Sequence, residues 1–159
     1  MESGLSDFIG RLLNRPAVDM SAGFPFIVHD GGRSKSKRPR QKNDCTVRCL
    51  STATGLDYDL VYDMLADAGR KCSKGFDFKH WIETQDMFIF TKFSFPAKRG
   101  EPRMNPSKFY KHFPKGRYIV RTAKHVLAAV DGVLYDTVKP HSDRCIYTAW
   151  RYDGRRHDR

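Results

Sequence analysis

Cysteine is scarce in this chain: Cys45, Cys49, Cys72 and Cys145 are the only four in 159 residues. That is too few for a disulfide-stapled scaffold of this length, so the thiols are expected to be free in a reducing compartment. Long apolar runs are missing as well; none approaches the ~18–20 residues that a membrane span requires. The N-terminus lacks the basic, then apolar, then small-residue order of a secretory signal. Neither export nor membrane insertion is expected, and the predicted location is cytoplasmic. Acidic residues are also in short supply: 18 Asp and Glu stand against 29 Lys and Arg, a net charge of +11. No internal repeat is present.

What remains is a globular composition. Hydrophobic residues make up 40% and aromatics 13%, which excludes a disordered chain despite 30% charge. The length suits one domain with a core of ordinary size. The basic excess favours polyanionic surroundings, either nucleic acid or the acidic surface of a protein, but charge alone assigns no function.

Residues 3–15 predict an amphipathic helix, because Leu5, Phe8, Ile9, Leu12 and Leu13 share one face and Pro16 stops it. It either packs on its own domain or docks on a partner. Residues 24–29 predict a short strand, closed by Asp30-Gly31-Gly32. The stretch 33–42 then carries Arg33, Lys35, Lys37, Arg38, Arg40 and Lys42 with no acid, and reads as an exposed, mobile connection. It is also a candidate contact for nucleic acid or an acidic partner, although it lacks the interleaved aromatics that stack on bases. The expected division is residues 1–42 as helix, strand and basic connection, and 43–159 as the catalytic domain.

Helices follow. Asn43-Asp44 can cap one starting near Cys45 that Gly55 ends, and Asp57 caps Tyr58 to Ala68 before Gly69. A short helix is predicted over 78–84, a strand over 87–95, and a brief helix from Asn105-Pro106 to His112. Strands are predicted over 117–122, 124–130, 133–137 and 146–152, with Asp131-Gly132 as a hairpin turn. Helices first and sheet afterwards predict an α+β class, with N-terminal helices packed on a C-terminal antiparallel sheet.

Cys45 sits at a predicted helix start, where unpaired N–H groups and the positive dipole end favour a thiolate. The alternative is a small buried hydrophobe. A thiolate nucleophile needs a base, and the base an orienting partner. Among the six histidines, only His125 lies on a strand whose neighbour carries a suitable acid. With a two-residue turn at Asp131-Gly132, His125 falls opposite Val138. Asp136 then becomes its diagonal neighbour on the same face, ~7–8 Å away at Cα. Asp131, in the turn, is the weaker choice, and a purely structural His–Asp pair is the bland alternative. Gln41, just before the cysteine, could donate its amide to an oxyanion beside the Cys45 N–H. Cys45 and Cys49 could share a metal on one helix face, yet Cys72 and Cys145 stand alone, and structural zinc draws on two close-spaced pairs. No metal or other cofactor is expected.

Gln41-Lys-Asn-Asp-Cys45-Thr-Val-Arg, followed by Lys124-His125-Val-Leu-Ala-Ala-Val-Asp-Gly-Val-Leu-Tyr-Asp136-Thr, resembles the papain-like cysteine peptidase superfamily. The likeness spans roughly residues 41–137. It is greatest to the bacteriocin-processing peptidase domains of ABC exporters and to small papain-like proteins of bacteriophages. The resemblance implies a papain-like fold, with Cys45 as nucleophile, His125 as base, Asp136 as orienting acid and Gln41 as oxyanion donor. A phage origin would place the protein in the host cytoplasm. Two positions depart from the exporter pattern: Thr46 stands where Gly usually follows the nucleophile, and Gln41 lies slightly closer to the cysteine.

The expected function is a small cysteine hydrolase cleaving a peptide or isopeptide bond through an acyl-enzyme. Two alternatives stay open. One is the same fold used as an amidase, deamidase or acyltransferase. The other is a non-catalytic protein that binds nucleic acid or a protein partner through the basic stretch.

Overall fold

A computed structural model describes residues 17–156; the amphipathic helix expected over 3–15 lies outside them. The described elements are β1 (Phe26–Val28), α1 (Cys45–Thr54), α2 (Tyr58–Asp67), α3 (Phe78–Thr84), β2 (Phe88–Ser94), α4 (Pro106–His112), β3 (Arg117–Thr122), β4 (His125–Val130), β5 (Val133–Asp136) and β6 (Thr148–Arg155). The class is α+β, built on one six-stranded sheet of order β1-β5-β4-β3-β6-β2.

The sheet differs from the expected antiparallel one. β1 runs parallel to β5, with Phe26 beside Leu134 and Val28 beside Asp136, so the sheet is mixed. β2 joins the opposite edge, antiparallel to β6. Two strands that precede the C-terminal third therefore form both edges. A three-residue strand shows its apolar content in the sequence but not the direction of its partner. Phe26 is almost fully buried, and adding it alongside β5 takes that ring out of water for a gain of about 1.5–3 kcal/mol.

Alternation in the central strands divides the core into two layers. Ile119, Val126, Ala128 and Trp150 pack under α1, α2 and α3 against Val47, Leu50, Val61 and Leu65. Tyr118, Val120, Leu127, Ala129 and Ala149 point the other way, toward Phe24, Phe26 and Phe109 of α4. Successive side chains on a strand face opposite sides, so consecutive apolar residues fit only a sheet covered on both faces.

The helix boundaries have local causes. Gly55 ends α1, and its N–H bonds to the Ser51 carbonyl at 2.9 Å. Asp57 caps α2 by accepting from the Asp59 and Leu60 N–H groups. Asn105 caps α4 and accepts from Lys108 N–H at 3.0 Å, with Pro106 as the first helical residue. The β4–β5 turn places Asp131 at φ 48° and Gly132 at φ 81°, the left-handed pair of a type I′ hairpin, and Val130 faces Val133.

Residues 33–42 are not a free connection. Arg33, Ser34 and Lys35 form a single 3-10 turn. The Arg38 guanidinium donates to Asp59 at 2.6 Å and Asp63 at 2.9 Å, and lies 3.9 Å over the Tyr62 ring. Arg33 turns inward to Asp44 at 3.0 Å. Asp44 stands just before α1, while Asp59 and Asp63 lie on α2, some twenty residues on, where a local charge count does not find them. The preceding loop is fixed as well. Gly31, at φ 70°, lies so close to α1 that a Cβ there would meet the Arg48 backbone at 2.8 Å, and its carbonyl accepts from Ser51 Oγ at 3.0 Å.

Candidate active site

Cys45 is the first residue of α1 and is half-buried. The first N–H groups of a helix have no carbonyl partner within it, and they point toward the helix entrance. The expected side-chain cap by Asp44 is not made. Asp44 is instead fully buried and accepts from three donors: Tyr58 Oη at 2.7 Å, Arg33 Nη1 at 3.0 Å and Arg48 Nη1. A buried carboxylate without such partners would be costly, and these three satisfy it. Burial and the bond to Asp44 push the Tyr58 phenol well above its ordinary value, so it remains a donor.

The β4–β5 hairpin supplies the other half of the site. His125 opens β4, and Asp136 ends β5. His125 Nε2 and Asp136 Oδ2 lie 2.5 Å apart. Asp136 Oδ1 accepts from the Thr137 N–H at 2.7 Å and from Arg48 Nη2 at 3.3 Å. With Nε2 engaged, Nδ1 is the ring nitrogen left to exchange a proton with the Cys45 sulfur. Arg48 thus joins two carboxylates, Asp44 at the helix entrance and Asp136 on the hairpin. Burial would lower the Arg48 pKa, but the two carboxylates outweigh it and hold the guanidinium charged.

The titration of the pair follows from these contacts. Burial works against a Cys45 thiolate. The His125 side chain and the Val126 N–H, hydrogen bonding toward the sulfur, outweigh it with help from the charges on His125 and Arg48, so the thiol lies below its ordinary value. The hydrogen bonds to Asp136 and then Cys45 raise the His125 imidazole from 6.5 to about 9 despite burial. Burial likewise opposes ionisation of Asp136, yet its bond to His125 and the charges around it hold the carboxyl below its usual range. The three directions agree: each contact favours the charged form of its partner, thiolate, imidazolium and carboxylate in a row. One turn along α1, Cys49 shows the opposite case: its thiol donates to the Thr46 carbonyl at 3.4 Å, and full burial pushes it well above the ordinary value.

Cys45 and His125 line one cleft of about 880 Å³, together with Asn43, Thr46 and the loop that carries Cys72. Gln41 is not brought there. It lines the adjoining groove, and its amide donates to the Lys42 carbonyl at 3.1 Å. Four residues on an irregular lead-in need not point the same way as the helix they precede, and here the side chain turns back on its own backbone. Asp131 is used up in the turn, accepting from the Gly116 N–H at 3.0 Å. Of the basic stretch, Arg33 and Arg38 are committed to internal carboxylates, while Lys35, Lys37 and Arg40 are exposed.

From the sequence Asp44 is expected only as a helix cap, and Arg48 and Tyr58 carry no expected role in the site. The i, i+4 spacing of Asp44 and Arg48 is a visible signal for an ion pair; the reach of Arg48 to Asp136, 88 residues away, is not. No family model, no curated protein and no solved structure matches this chain.

Proposed function

We propose that the protein is a cysteine hydrolase of papain-like type, cleaving a peptide or isopeptide bond through an acyl-enzyme on Cys45. The single observation that supports this reading is a thiol and an imidazole lining one open cleft, with Asp136 2.5 Å from the ring's Nε2. A buried His–Asp pair of purely structural purpose would have no reason to share a cleft with a cysteine of lowered pKa.

The Cys45 thiolate adds to the substrate carbonyl carbon, and the C=O electron pair moves onto oxygen. The Cys45 N–H at the helix entrance donates to that oxyanion. The His125 imidazolium passes its Nδ1 proton to the amine nitrogen, the C–N bond breaks, and the amine departs, leaving a thioester. Water then attacks the thioester while Nδ1 takes its proton, and the thiolate is regenerated with release of the acid. Asp136 holds the ring through Nε2 throughout. Capture of the thioester by an amine in place of water makes the same site an acyltransferase, and loss of ammonia from a side-chain amide makes it a deamidase.

Alkylation tests the reading. With iodoacetamide near pH 6, where ordinary thiols with pKa near ~8.5 are almost wholly protonated, Cys45 should label ahead of the exposed Cys72, as read by mass spectrometry. His125→Ala should remove that preference. A p-nitrophenyl ester of a blocked amino acid should acylate Cys45 and decay in water. Equal labelling of Cys45 and Cys72, or no acyl adduct on Cys45, would overturn the proposal.

A further inference from the structure

The cleft beside Cys45 has an unbalanced rim. Arg121 and Lys124 flank His125, and Lys74 comes from the loop on the opposite wall. None of the three forms an ion pair among the described residues, whereas Lys79, the remaining lysine of the lining, is paired with Glu83. The carboxylates of the lining offset them only in part. Asp44 is fully buried and committed to Arg33, Arg48 and Tyr58, which leaves Asp77, the exposed cap of α3, as one negative charge against three positive ones.

The same imbalance continues past the site. A second groove of about 890 Å³ shares Asn43, Cys72 and Ser73 with the first, so the two form one channel. Its rim carries Lys37, Arg40 and Lys42, each exposed and without an ion pair among the described residues, and no carboxylate lines it. Six cations without an ion pair among the described residues thus follow a path that passes the nucleophile, with Asp77 as the one exposed carboxylate beside them. Like charges held along a cleft repel one another in the empty protein, and an anionic ligand relieves that cost.

We infer that this channel takes an extended acidic polypeptide, with Asp or Glu side chains on both sides of the bond presented to Cys45. The inference rests on the hydrolase reading and adds its substrate class. Arg121 and Lys124 sit beside the base that protonates the leaving amine, so they receive acidic residues on the leaving side. Lys37, Arg40 and Lys42 in the adjoining groove receive those on the other. A polypeptide fits better than a nucleic acid because the lining offers few free aromatic faces for stacking: Phe78 is buried, and Phe76 packs against the core.

Paired alkylating agents separate this inference from the reading it rests on. Iodoacetate and iodoacetamide differ in charge and little in size, and a small free thiol serves as the reference. The iodoacetate-to-iodoacetamide rate ratio at Cys45 should exceed that at a small free thiol by roughly tenfold at low salt. Most of that excess should vanish near 0.5 M NaCl, roughly, where charges are screened within a few ångströms. Lys74→Glu on its exposed loop, and separately Arg121→Gln, should each lower the ratio. A peptide library derived from a denatured proteome should be cut beside Asp and Glu, and poly-glutamate should protect Cys45 from iodoacetamide. Selective iodoacetamide labelling with a ratio equal to that of a free thiol would overturn the acidic substrate while leaving the hydrolase standing. Unselective labelling overturns the hydrolase itself. Stronger protection by a single-stranded oligonucleotide than by poly-glutamate would overturn the polypeptide assignment.

Discussion

The two faces of the sheet solve different problems. Under α4, Phe93, Phe95, Phe109, Phe113 and Tyr118 meet at centroid distances of 4.8 to 6.4 Å, and Phe109 touches three of the others. No carboxylate is buried among them. Under α1, by contrast, the apolar layer runs up against Asp44, Arg48 and Asp136, which ion pairs join to one another. The aromatic face supplies stability through packing alone. The helix face carries ionised groups out of bulk water, which costs stability and gives the thiol and imidazole their altered acidity.

The sharpest way to break the contrast is Phe109→Ala. It should lower unfolding free energy by about 3–5 kcal/mol, measured by urea denaturation, while the folded fraction keeps selective labelling at Cys45. An equal loss of selectivity would mean that the faces are not separable.

Asp136→Asn attacks the other face. The His125 ring should titrate well below about 9, read from its carbon-bound proton by NMR, and Cys45 alkylation near pH 6 should slow by roughly tenfold or more, since each unit of pKa is worth about tenfold in thiolate population. Unchanged titration would show that Asp136 does not hold the ring.

Stability against pH sharpens the comparison further. His125 has a raised folded pKa, so its contribution is complete below the unfolded value of 6.5 and is lost as pH rises through about 9. Asp136 has a lowered pKa, so its contribution is present above 3.8 and is lost as pH falls through the folded value. In Cys45→Ala, where the thiol no longer titrates, the melting temperature should fall from pH 6.5 upward more steeply than in Cys45→Ala/His125→Gln. Parallel curves would refute the linkage.

The smallest effect is expected at Gly31. Alanine there meets both a left-handed backbone and the Arg48 main chain at 2.8 Å, so Gly31→Ala should cost more than about 1 kcal/mol. Because the strain falls on the residue that bridges Asp44 and Asp136, the labelling rate of Cys45 should fall with the melting temperature. A stable variant with full reactivity would show that the loop merely rests on α1.

Much of this was legible locally. The Gly55 stop of α1, the Asp57 cap of α2 and the Asp131-Gly132 turn depend on a few neighbouring residues, whereas the expected Asp44 cap is replaced by buried ion pairs. The turn alone fixes the register that brings Asp136 to His125. The parallel placement of β1, the commitment of Arg38 to α2, and the bridge made by Arg48 all depend on chain segments twenty or more residues apart, and no periodicity encodes them. Gln41 failed for a related reason: it lies on an irregular lead-in whose side-chain direction the helix does not dictate.

Arg48 ties a helix tip to a hairpin finished only at Asp136. During synthesis Cys45 leaves the ribosome long before that hairpin exists, and until it closes the sulfur keeps an ordinary thiol's reluctance to ionise. A nascent or unravelled copy is therefore chemically quiet, and reactivity becomes a report that the last strands have zipped.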